Sequence, residues 1–217
     1  MNQLPSAAVR LALIALSALG SIPALAGRPL TVDDANTDDA RHGHLEAWVA
    51  REPGSTAYNL APAYAPGDGL ELGALLARDT RASVTLRGLQ AKWRITPKQE
   101  NGCNTGAVLG WSRATGAADA VSLNGLLSCH HAERGSVHTN LGATKAWGAA
   151  ASVNWGLAYE RDLKLVTPSI EWFGNQGGKP TLQAGLRGNM ARSIQLDGSV
   201  GRRGRATLYS LGTKLQF

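Results

Sequence analysis

From residue 43 onward the chain alternates apolar and polar side chains with a period of two, the signature of β-strands. The last segment is the clearest. One parity reads Thr207, Tyr209, Leu211, Thr213, Leu215, Phe217, and the other Leu208, Ser210, Gly212, Lys214, Gln216. Upstream, Ile194, Leu196 and Val200 alternate with Gln195, Asp197 and Ser199, and Val153, Trp155, Leu157 and Tyr159 with Asn154, Gly156, Ala158 and Glu160. Short clusters of Gly, Pro, Asp and Asn punctuate the pattern. Twelve segments result, near 43–51, 56–65, 69–79, 83–96, 103–113, 120–130, 136–145, 151–161, 165–175, 180–190, 193–202 and 206–217. Their length suits the ~9 to 11 residues of a tilted membrane-crossing strand. The expectation is an all-β, up-and-down, closed antiparallel transmembrane β-barrel of about twelve strands, with ten as the alternative count.

A secreted β-sandwich also alternates, so three features have to decide. The small and polar parity carries many glycines (Gly73, Gly106, Gly142, Gly156, Gly185, Gly212), which weaken a strand unless a curved wall or tight bend needs them. Aromatics including Tyr58, Tyr64, Trp93, Trp111, Trp172 and Tyr209 fall near segment ends on the apolar parity, where interfacial girdles sit. The chain also stops on an alternating strand ending in Phe217, a terminal aromatic that resembles the signal read by the barrel-assembly machinery.

The N-terminus reads as an export signal over 1–26: Arg10, an apolar stretch from Leu11 to Leu19, and a small-x-small site at Ala24-Leu25-Ala26. Residues 27–42 form an acidic lead-in carrying Asp33, Asp34, Asp38 and Asp39, and 43–217 the barrel. Export to the outer membrane of a Gram-negative cell is the expected location. There Cys103 and Cys129, which lack a C-x-x-C spacing, can persist as a disulfide, with free thiols as the alternative. The net charge of +6 suits anionic lipid and lipopolysaccharide phosphates. Arg202, Arg203 and Arg205 at an outer tip are candidates for that contact. No basic helix or basic stripe interleaved with aromatics points to nucleic acid.

The inward parity collects Glu46, Glu71, Lys92, Arg94, Glu160, Glu171, Arg187, Asp197 and Lys214 as lumen-lining residues. Two readings stay open for them: mutual pairing across a narrow lumen, or the walls of a water-filled path. The acidic lead-in could enter that lumen and pair with Lys92, Arg94, Arg187 or Lys214 as a plug. Its aspartates lack the spacing of an EF-hand, and neither metal nor cofactor is expected. His138, Asn140, Ser152 and Asn154 raise a lipid hydrolase, but no motif places a serine, and polar lumen packing is the preferred reading. His130 and His131 are expected as a solvated pair in a turn.

The stretch Arg28-Pro29-Leu30-Thr31-Val32-Asp33-Asp34-Ala35, followed by His44-Leu45-Glu46-Ala47-Trp48, resembles the start of small proteobacterial outer-membrane proteins loosely related to the meta-pathway phenol-degradation transporter family. The resemblance implies uptake of small, often hydrophobic compounds. Short connections leave little material for an enzyme site or receptor surface. The expected function is therefore passive passage of small solutes and not enzymatic. A pore-less structural or adhesion barrel, or a membrane-embedded lipid hydrolase, is the alternative.

Overall fold

The computed structural model describes residues 30–217. The signal sequence expected over 1–26, and the first residues of the lead-in, lie outside the described residues.

Twelve strands follow one another: β1 (Gly43–Glu52), β2 (Ser55–Gly67), β3 (Leu70–Asp79), β4 (Val84–Arg94), β5 (Gly102–Ala114), β6 (Ala120–His131), β7 (Gly135–Ala146), β8 (Ser152–Glu160), β9 (Thr167–Asn175), β10 (Thr181–Ala191), β11 (Ile194–Arg203) and β12 (Ala206–Gln216). Each pairs antiparallel with its neighbours in sequence, and β1 pairs with β12 to close the barrel. At the seam Glu46 faces Lys214, and Gly43 and Phe217 exchange both backbone hydrogen bonds. Closure leaves no strand edge, which hydrocarbon demands because it offers a free N–H or C=O no partner. The even count brings the start of β1 and the end of β12 to one rim, here called the terminal rim.

Every strand boundary lies within two residues of its expected place. β2 runs past the expected end at residue 65 to Gly67 because the β2–β3 register shifts between Tyr64 and Gly67, around Pro66. A proline is tolerated at such an irregularity, where no ladder N–H is required.

Burial is inverted relative to a soluble domain. Leu141 is 66% exposed and Leu211 72%, whereas Glu46 and His138 are each 1% exposed. The apolar parity points outward all round the wall, and the polar parity points in. A water-soluble sandwich would bury those leucines, so that alternative is set aside. Leu30, Val32 and Ala35 of the lead-in add apolar side chains to the inside, packing on Ala158 and Phe173 at one wall and on Val108 and Leu126 at the other, while Ala61 and Leu75 form a separate buried cluster with Trp48 and Leu86.

Candidate functional site: a segment held inside the barrel

Residues 30–42 cross the lumen near the terminal rim without regular secondary structure. Such a segment must find partners for its buried backbone groups, and the wall supplies them through side chains. Glu171 Oε2 accepts the N–H groups of Thr31 at 2.6 Å and Val32 at 2.9 Å. Asn140 grips Asp33 twice, accepting its N–H and donating to its carbonyl, each at 2.7 Å. Ser128 Oγ accepts Ala35 N–H at 2.8 Å, and Glu71 Oε2 accepts Asp38 N–H at 2.9 Å. Five amides of the lead-in are thus received by strands β3, β6, β7 and β9. At the rim the segment joins the wall through Arg41 N–H to the Ala65 carbonyl at 2.7 Å.

Two glycines make room for it. A Cβ on Gly156 would stand 2.6 Å from a methyl of Val32, and one on Gly106 would stand 3.3 Å from the Ala35 carbonyl oxygen and 2.8 Å from that of Trp93. The glycine-rich inward parity, expected to serve wall curvature, also forms the seat of the lead-in.

Charge completes the docking. Lys92 Nζ lies 2.8 Å from Asp33 Oδ1 and 3.7 Å from Asp34 Oδ1. Burial pushes the Asp34 carboxyl up, but Lys92, His138, the Asn36 N–H and Lys214 outweigh it and bring it down to about 2. Asp38 bonds His44 Nδ1 at 2.6 Å, and Asp39 reaches Lys98 at 2.8 Å in the connection after β4. Asn104 donates to Asn36 Oδ1 at 2.9 Å.

The other inward charges find partners in the wall. Arg94 bonds Asp68 in the β2–β3 turn, Arg187 bonds Glu160 at 2.9 Å, and Lys214 Nζ stands 3.6 Å from Glu46. Of the four bases considered for the lead-in, only Lys92 contacts its aspartates; the other three have nearer acids on the strands themselves. Glu171 also accepts from Gln183 at 2.7 Å, and Asp197 faces Arg187 in the β10–β11 register. All nine of these residues lie within four positions of the terminal-rim end of their strands. The far half of the lumen is built of neutral groups such as Ser112, Ser122, Asn124 and Asn154, apart from Asp79 and a Glu52–Arg203 pair at the far rim.

Beneath Ala35 runs a relay in which Ser128 Oγ and His138 Nδ1 are 2.8 Å apart, and His138 Nε2 is 3.6 Å from Glu160 Oε1. It includes His138, but with Ser128 and not Ser152, and the Ala35 amide occupies the hydroxyl. A hydrolytic role for His138 and Ser152 is set aside on that geometry. His130 and His131 are likewise not in a turn: both belong to β6, which His131 ends, and His130 contacts Ser136 at 2.8 Å and Asn36 at 3.1 Å. Neutral Ser128, Asn104 and Gln183 escaped sequence reading because a polar inward residue carries no mark of what it will bind.

Cys103 and Cys129 face each other across β5 and β6, with their sulfurs 2.09 Å apart in a disulfide. They sit on the outward parity at the terminal rim. Phe217 is exposed at the same rim.

An up-and-down barrel with an apolar outside, a polar inside and a short connection at every turn has the architecture of an outer-membrane β-barrel. The chain belongs to the family described as Uncharacterised conserved protein UCP029691, which matches residues 13–217. Among solved structures it is similar to the KdgM porin, with 12% identity, a TM-score of 0.69, and 80% of this chain and 99% of that one covered. It is also similar to the outer membrane protein Omp33 of Acinetobacter baumannii (6% identity, TM-score 0.60, coverage 82% and 98%). The COG4313 outer membrane channel of Pseudomonas putida F1 is a further similar structure (13% identity, TM-score 0.59, coverage 85% and 98%). No curated protein matches in sequence. These likenesses support the outer-membrane part of the resemblance read from the lead-in and give no support to the phenol-degradation link.

Proposed function

We propose that the protein is an outer-membrane channel for small water-soluble solutes whose resting lumen is closed by residues 30–42. The observation that carries this reading is the reception of five lead-in amides and of Asp33 by the inward side chains of the barrel wall. A barrel of twelve strands lies between the filled eight-stranded and the open 16- to 18-stranded sizes, so one extended segment is enough to block it. The polar lining argues for hydrophilic solutes over the hydrophobic compounds implied by the family resemblance. A KdgM porin is described in complex with disordered oligogalacturonate, which is in keeping with passage of a hydrated solute.

Export follows removal of residues 1–26, and Phe217 serves as the assembly signal. The terminal rim faces the periplasm, where oxidising conditions maintain the Cys103–Cys129 bond. At the opposite rim Arg202 and Arg205 meet lipopolysaccharide phosphates, while Arg203 is engaged by Glu52. Swelling of proteoliposomes in graded neutral sugars tests the reading. Slow entry through the native protein and faster entry after Glu171→Gln support it. Equal impermeability of both would leave a barrel without a pore.

A further inference from the structure

We propose that Asp38, His44 and Glu71 form a binding site for one divalent transition-metal ion of the zinc class. Each residue offers one ligand atom, and the three atoms lie within 4.8 Å of one another. Zinc holds imidazole nitrogen and carboxylate oxygen at about 2.0–2.2 Å, so small side-chain rotations bring the three onto one ion. One imidazole with two carboxylates is a donor set suited to zinc and its neighbours; calcium prefers six to eight oxygens.

The surroundings favour a cation. His44 and Glu71 are buried, and Asp33, Asp34 and Glu46 add further carboxylates near this rim, against the ammonium groups of Lys92 and Lys214. The ligands are also already oriented. Asp38 Oδ2 holds His44 Nδ1 at 2.6 Å, and Glu71 accepts the Asp38 N–H, so the carboxylate, the ring and the second carboxylate converge before any ion arrives. An ion entering there displaces the proton shared between Asp38 and His44 and takes both as ligands.

The three ligands come from different parts of the chain: Asp38 from the lead-in, His44 from β1 and Glu71 from β3. A bound ion therefore ties the lead-in to the wall. That consequence rests on the proposed plug, whereas the metal site itself does not.

Calorimetric titration of the refolded, detergent-solubilised full mature chain with zinc chloride tests the site. One saturable equivalent is expected, with affinity lowered at least roughly tenfold by His44→Ala, Glu71→Gln and Asp38→Asn, and no competition from calcium. Asp38→Asn lies outside the strands and carries the test if a strand variant fails to fold, as judged by its shift on an unboiled gel. Absence of saturable zinc binding overturns the proposal. So does binding that survives the combined Glu71→Gln and Asp38→Asn changes, which would place the ion on exposed His42 or His131. Zinc binding with unaltered solute permeability would retain the site and count against the plug alone.

Discussion

The Lys92 ammonium lies 2.8 Å from the Asp33 carboxylate, and the two side chains are 4% and 0% exposed. A buried pair of this kind is costly to break on one side, by about 3–5 kcal/mol, and much cheaper to replace as a pair. Lys92→Met should therefore expose the amides of Val32, Asp33 and Ala35 to hydrogen exchange, while Lys92→Met with Asp33→Leu recovers most of their protection. Equal protection in native and single-variant protein would show that the pair does not hold the segment.

Val32 occupies the space that a side chain at position 156 would need. Gly156→Val should evict the lead-in, at a cost of about 1–3 kcal/mol, and leave Arg41 open to trypsin. Adding Val32→Gly should restore resistance. The readout is the rate of N-terminal clipping of the folded barrel, and a Gly156→Val protein as resistant as the native one contradicts the packing described.

Acid should loosen the same segment. The docked state holds the Asp34 carboxyl at about 2, below its ordinary 3.8, so the released segment binds a proton more readily than the docked one. The Asp34 contribution to docking is then fully present above about pH 4 and is lost as pH falls from about 4 to about 2, whereas Asp33, pushed up to about 7 by burial, contributes in the opposite sense between about pH 4 and 7. Channel openings counted across that window should rise in the native protein and change less in Asp34→Asn.

Cys103 and Cys129 close a loop of 26 residues. A disulfide of this span stabilises by about 2–4 kcal/mol, chiefly through the unfolded chain. Reduction, or Cys103→Ser with Cys129→Ser, should lower the unfolding free energy in urea by that amount without changing the gel shift of the folded barrel. Two titratable thiols in the unreduced exported protein would sink the assignment.

The barrel was legible because its two solvents write a simple code. Leucines at Leu123, Leu141 and Leu157 face hydrocarbon and residues such as Asn124 and Glu160 face inward, and no soluble fold repeats that so evenly over twelve strands. Phe217 marked the closing strand by its place in the alternation. What the alternation could not convey was the destination of each inward side chain. Arg94 and Lys92 share one parity and one strand, yet Arg94 turns to Asp68 and Lys92 to Asp33, a choice set by depth and barrel shear. The acidic lead-in signalled an affinity for bases. Its docking also rests on Ser128, Asn140, Gly156 and Gly106, whose partners lie 71 to 124 positions away in sequence. Separations of that size leave no local trace.

Single-channel recording in planar bilayers is the most direct test that residues 30–42 shut a continuous pore. The native protein should insert and show rare, brief openings, whereas Gly156→Val and Lys92→Met should show long, stable conductance steps of one common size. Sealed bilayers with all three correctly folded proteins would contradict the account, as would native protein that stands open as long as the variants.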